Sequence, residues 1–134
     1  VIDVVGAALV HEGRVLAARR THPPEAAGRW ELPGGKVEDG ETRDAALVRE
    51  IAEELGCRIV LDHWLDGAVR IGPRHRLLVA LAHVVEGEPR PHEHDLVRWL
   101  GPDELDDVDW LEPDRPFLPE LGRLLRGHVG RPGQ

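Results

Sequence analysis

Apolar residues run from position 4 to position 10 with only Gly6 between them, which predicts a buried strand. His11-Glu12-Gly13 reads as a turn, and residues 14–18 as the strand that pairs back. Residues 21–28 hold two prolines and a glycine and predict a loop. Residues 30–32 form a short strand ended by Pro33-Gly34-Gly35, with a further loop to Gly40. The strongest helical pattern covers 42–55, with Thr42 as N-cap, Asp44 in the first turn and Gly56 as the stop. Ala45, Val48, Ala52 and Leu55 recur at helical spacing, and Leu47 and Ile51 widen that apolar face. Strands follow at 58–61 and 64–71, then a Gly72-Pro73 turn and an apolar run at 77–85 that belongs at the centre of a sheet. A polar loop at 86–94 leads to a last strand at 96–100 and a helical turn at 102–105. Leu118, Leu121, Leu124 and Leu125 mark a closing helix over 117–125, and the tail 127–134 is expected to fray. The order predicts an α/β fold, a mixed sheet flanked by helices. With no repeat or linker, residues 1–134 are expected to be one domain.

Composition narrows the chemistry. A net charge of -8 argues against a nucleic-acid polymer as partner. It leaves room for an anionic small molecule, because a metal ion can screen carboxylates from phosphates. The single cysteine, Cys57, excludes an intrachain disulfide and points to a reducing, cytoplasmic setting. No apolar stretch approaches the roughly 18 residues of a membrane helix, so no membrane partner is expected. The pattern is compatible with a monomer or a homodimer. The basic residues are arginines except for Lys36.

Lys36 lies beside the most informative segment. Glu50, Glu53 and Glu54 stand at i, i+3 and i+4 on the predicted helix. At about 100° per residue they occupy roughly a third of a turn. Like charges at this spacing destabilise a helix by a few tenths of a kcal/mol. A divalent cation turns the repulsion into ligation, since Mg²⁺ takes carboxylates, waters and phosphates together. Arg49 is placed to hold one carboxylate through a bidentate contact. The loop before the helix, Pro33-Gly34-Gly35-Lys36 and then Gly40-Glu41, is rich in glycine, which lets backbone approach a ligand.

Gly35, five residues, Glu41, seven residues, Arg49-Glu50-Ile51, one residue, Glu53-Glu54, one residue and Gly56-Cys57 together resemble the Nudix box. Every glycine and polar position of the box matches. Cys57 replaces the final bulky aliphatic, where it is expected to pack as a small hydrophobe. The resemblance implies the Nudix fold, an α/β/α sandwich, and hydrolysis of a nucleoside diphosphate linked to another group, with Mg²⁺ or in its place Mn²⁺. Trp30-Glu31-Leu32-Pro33-Gly34-Gly35-Lys36, Arg19-Arg20 upstream, and Gly87-Glu88-Pro89 followed by Glu93 downstream are similar to the MutT-type nucleoside triphosphate pyrophosphohydrolases.

That similarity implies a set of roles. The Gly34 carbonyl, Glu50, Glu53 and Glu54 bind metal, and Glu93 binds a further metal or acts as base toward the attacking water. Glu50, Glu53, Glu93 and Arg49 form the catalytic group. Arg20, Lys36, Leu32 and Asp114 form the substrate-binding group. Asp114 stands where the family places an asparagine against a purine. An ionised aspartate only accepts, which suits the amino group of cytosine. The expected substrates are therefore CTP, dCTP or a 5-methylated cytidine nucleotide ahead of 8-oxo-dGTP, split to nucleoside monophosphate and pyrophosphate. Asp114 reads equally well as an N-cap of the closing helix. His92-Glu93-His94 reads as a solvated acidic loop, and Trp99 and Trp110 as packing residues. Pro73 is the thin sign of an ADP-ribose hydrolase. A nucleotide-sensing domain without turnover is the reading from another class, and the complete glutamate set weighs against it.

Overall fold

The first strand feeds both faces of the sheet. The computed structural model describes residues 1–129. In β1 (Ile2–His11), Val5, Ala7 and Leu9 face one apolar cluster, and Ala8, with Val4 and Val10, faces the other. A strand with both faces buried needs the continuous apolar run seen at 4–10. β2 (Arg14–Arg19) returns antiparallel through a turn with positive φ at Glu12 and Gly13. β3 (Trp30–Glu31) and β4 (Gly34–Lys36) follow, then α1 (Arg43–Leu55). β5 (Arg58–Trp64), β6 (Val69–Ile71) and β7 (His75–Glu86) complete one half, and β8 (Leu96–Leu100) pairs with β2. The eight strands form one mixed sheet with five in the order β3-β2-β1-β7-β5, while β4 pairs with β1, β6 with β7 and β8 with β2. β7 runs parallel to β1, from Ile2↔His75 to Leu9↔Ala82. α1 lies on one face and α2 (Leu118–Val129) on the other, the α/β/α sandwich expected.

Several boundaries differ from the sequence reading. Residues 34–36, expected as loop, are β4, paired with β1 at Val4↔Lys36, Val5↔Gly35 and Gly6↔Gly34. Gly34 makes this possible, because a Cβ there would lie 1.8 Å from the Val5 carbonyl oxygen. The run 64–71 is not one strand: β5 ends at Trp64, and Gly67 turns the chain at φ 84° before β6. The helical turn expected at 102–105 forms at Leu105–Asp107. An unforeseen 3₁₀ helix, Glu112–Phe117, precedes α2. Gly127 is helical within α2, and the rest of the expected frayed tail beyond 129 lies outside the described residues.

Thr42 caps α1 as expected, its hydroxyl accepting from the Ala45 amide at 3.0 Å, and Gly56 closes the helix in the left-handed region. The buried stripe, however, is Ala46, Leu47, Ile51, Glu54 and Leu55, while Ala45 and Ala52 are exposed. Glu54 thus occupies a core position, seven residues after Leu47. Cys57 packs in the same apolar cluster, as expected of a small hydrophobe.

Candidate active site

Glu54, Glu50 and Glu53 grade from core to solvent, with Glu54 7% exposed and the Glu50 and Glu53 side chains 16% and 61%. Helix geometry sets this order, because Glu54 shares the Leu47–Ile51 stripe and the other two turn progressively away. Burial, with the nearby charges of Glu31, Glu50 and Glu93, pushes the Glu54 carboxyl up to about 8. Burial also raises Glu50, against the opposing effect of Arg49. Among the described residues Glu54 Oε2 is buried with no hydrogen-bond partner. An unsatisfied carboxyl oxygen beside other acidic groups is the place a hard cation fits, since the cation displaces the proton that burial favours. Among the described residues no group of three or more His, Cys, Asp or Glu side chains is gathered closely enough to hold a metal ion by itself.

The glycine loop lies against this helix. A Cβ at Gly35 would fall 2.3 Å from the Glu50 carboxyl carbon, so glycine is what admits that carboxylate. Arg49 ties the junction together. It donates to Glu41 at 2.7 and 2.9 Å, to Glu50 at 2.9 Å and to the Lys36 carbonyl at 3.1 Å. Its contact with Glu53 is longer, 3.4 Å. The Arg49 guanidinium and the Glu38 amide together hold the Glu41 carboxyl down at about 2. The Lys36 side chain is exposed on β4.

Glu93 arrives on the 87–95 loop, which is fastened at several points. The Arg90 amide donates to the Leu55 carbonyl and the His92 amide to the Glu54 carbonyl, at 2.9 and 3.0 Å. The Thr21 hydroxyl donates to the Glu93 carbonyl at 3.2 Å, and Arg19 grips Asp95 through two bonds of 2.9 and 2.7 Å. Arg20, Thr21, His22, Glu93 and His94 line one small cavity. A larger cavity of about 440 Å³, lined in part by Val10, His11, His83 and Trp99, contains none of the carboxylates of α1.

The far end of the site comes from the C-terminal third. Residues 109–111 run beside β3, with Trp30 N–H donating to Asp109 O and Leu111 N–H to Trp30 O at 2.9 and 2.8 Å. Trp110 is buried and donates its indole N–H to the Leu105 carbonyl, which fits packing. The 3₁₀ helix then sets Asp114, 4% exposed, against β3, where its Oδ1 accepts from the Leu32 amide at 3.3 Å. Asp114 is therefore not the N-cap of α2; it lies inside the preceding 3₁₀ helix. Burial and the charge of Glu31 push its carboxyl up to about 8. At neutral pH it is mainly the acid, which both donates and accepts. Burial therefore favours the acid over the accept-only carboxylate at this position.

Two residues with no assigned role stand between these ends. Glu31 Oε2 accepts from Arg20 Nη1 at 3.0 Å and pairs with His94 Nε2 at 2.8 Å. The His94 side chain is 3% exposed, so it is not the solvated residue expected of that loop. Neither was legible from spacing, since Glu31 and His94 lie 63 positions apart. The nearest signal was Glu31 itself, an acid in an otherwise apolar and glycine-rich run.

Comparison with known proteins agrees with this geometry. The NUDIX domain model matches residues 2–121. A Mycobacterium tuberculosis protein named "Putative 8-oxo-dGTP diphosphatase 2" is 43% identical, covering 92% of this chain and 90% of the relative. The CTP pyrophosphohydrolase of Escherichia coli is 34% identical, covering 87% and 88%. Among solved structures, a MutT NUDIX hydrolase from Burkholderia pseudomallei superposes with a TM-score of 0.74 at 38% identity, covering 88% of this chain and 95% of that one. The model match, these relatives and the glutamate helix behind its glycine loop lead to one conclusion: this chain is an enzyme of the Nudix hydrolase family, of the MutT-like kind.

Proposed function

We propose that the protein hydrolyses nucleoside triphosphates to nucleoside monophosphate and pyrophosphate with Mg²⁺, Mn²⁺ serving in its place. The observation that carries this reading is Glu54, a carboxylate on the core stripe of α1 with a buried, partnerless oxygen. In this reading Glu50, Glu53, Glu54, the Gly34 carbonyl and Glu93 hold the metal. The bound ion would neutralise phosphate charge and lower the pKa of water. Arg49 orients Glu50 and closes the loop-helix junction through Glu41. Glu53 or Glu93 takes the proton of the attacking water. Arg20 and Lys36 meet the phosphates, and Leu32 and Asp114 receive the base. We read residues 1–134 as one domain acting in the cytoplasm, as a monomer or homodimer, on a free nucleotide and not on a nucleic-acid polymer. The buried lone thiol of Cys57 accords with that setting.

Asp114 in its acid form supports two bases. Its O–H and C=O complement an edge with one acceptor and one donor, such as N3 and the amino group of cytosine. The O6 and N7–H of 8-oxoguanine make a similar pair. CTP, dCTP and 5-methyl-dCTP thus stand beside 8-oxo-dGTP. Names among the relatives favour both, and nucleotide-pool sanitation is the role that fits them. Product analysis over dCTP, CTP, 5-methyl-dCTP, 8-oxo-dGTP and ADP-ribose tests the reading. Pyrophosphate from a cytidine nucleotide or 8-oxo-dGTP is expected. Turnover of ADP-ribose alone overturns it, and binding of nucleotides without turnover makes the domain a sensor.

A further inference from the structure

We propose that His94 is a positioning residue of this site, acting through Glu31 to hold Arg20 in place. The inference rests on the triphosphate reading above and adds to it a residue outside the box. Three observations carry it. First, His94 is buried at 3% exposure on a loop otherwise largely exposed, and its Nε2 donates to Glu31 Oε2 at 2.8 Å. Second, the same oxygen accepts Arg20 Nη1 at 3.0 Å, while Arg20 Nε donates to the His22 carbonyl at 2.9 Å. One carboxylate oxygen therefore joins a fixed imidazole to the arginine that faces the same cavity as Glu93. Third, His94 Nδ1 is buried without a partner among the described residues. An unpaired ring nitrogen in the interior costs stability. A residue chosen only to fill that space would be apolar, so the imidazole is explained by what Nε2 holds.

His94 does not touch the reacting atoms in this account. Its neighbours hold the loop from both sides, since His92 bonds the Glu54 carbonyl through its amide and Asp95 is gripped by Arg19. The loop therefore survives loss of the imidazole, and what is released is the Glu31 carboxylate. Glu31 then no longer fixes Arg20 for the incoming phosphates, and the loss falls on substrate capture.

The test is steady-state kinetics with Mg²⁺ and the preferred triphosphate, beside thermal melts. His94→Leu is expected to raise KM about tenfold or more, with kcat changed far less and Tm not lowered. His94→Gln, whose amide can donate near the place of Nε2, is expected to recover most of the loss. His94→Asn, which cannot reach, is not. In a Glu31→Ala background His94→Leu is expected to add nothing further, since coupled residues act as one. An unmoved KM, an Asn variant as good as the Gln variant, or an equal loss in the Glu31→Ala background each overturns the inference. Should His94→Leu fail to fold, the Gln and Asn pair decides. A wild-type protein inactive on every triphosphate sinks the functional reading and this inference with it. An active wild type with KM unchanged in His94→Leu sinks this inference alone.

Discussion

Arg49 donates two hydrogen bonds to Glu41, at 2.7 and 2.9 Å, and so joins the end of the glycine loop to the middle of the carboxylate helix. The pair keeps Arg49 from collapsing wholly onto Glu50 and Glu53. It also places a guanidinium beside the carboxylates without closing off Glu54.

Replacing Glu41 by Gln is expected to lower kcat by about tenfold or more through the freed arginine. The pair also leaves a mark on acid stability. Glu41 titrates at about 2 in the folded chain, below its ordinary value of 4.5. Its contribution is therefore complete above the ordinary value and is lost as pH falls toward 2. Urea midpoints of wild type and Glu41→Gln should differ at neutral pH and converge in strong acid. A gap independent of pH contradicts the assignment.

Gly34→Ala and Gly35→Ala are expected to fail in different ways. At Gly34 a Cβ meets the Val5 backbone, which cannot yield, so stability should fall by about 1–3 kcal/mol or more. At Gly35 its nearest contacts are the carboxyl atoms at the end of the Glu50 side chain, which can swing aside. Tm should then change little while turnover falls. Melting curves and kcat measured together separate the two, and equal effects on both quantities contradict the packing account.

Asp114 should reveal itself through pH. Its carboxyl is raised from 3.8 to about 8 in the folded chain, so the folded state binds the extra proton between those values. Stability from this group falls as pH rises across that window. Asp114→Asn removes the effect, so the variant should gain on wild type in Tm as pH rises toward 8 and hold level beyond. Base preference in wild type should shift as the acid ionises, and the Asn variant should lack that shift. Parallel pH profiles for both proteins contradict the buried-acid account.

The box was readable because its chemistry demands fixed residue types at fixed helical spacing. Thr42, Gly56 and the apolar run of β1 were readable because capping and patterning are local. β4 was not, since two glycines carry no apolar pattern and only the approach of Val5 makes a strand of them. The charge state of Asp114 is not legible in the sequence, because it depends on burial beside Leu32 and Glu31, 82 and 83 positions away. The burial of His94 is hidden for the same reason: its partner Glu31 lies on β3, 63 positions away.

Pyrophosphate release from dCTP and 8-oxo-dGTP, titrated with Mg²⁺ in wild type and Glu54→Gln, decides whether Glu54 serves a metal-dependent hydrolysis. The wild type should show saturable dependence on Mg²⁺ with at least one of them. Glu54→Gln should lose at least about a hundredfold in kcat, while its metal-free Tm stays equal or rises, since a buried raised carboxyl is gone. Wild-type turnover without a divalent cation, or full activity in Glu54→Gln, would contradict the account.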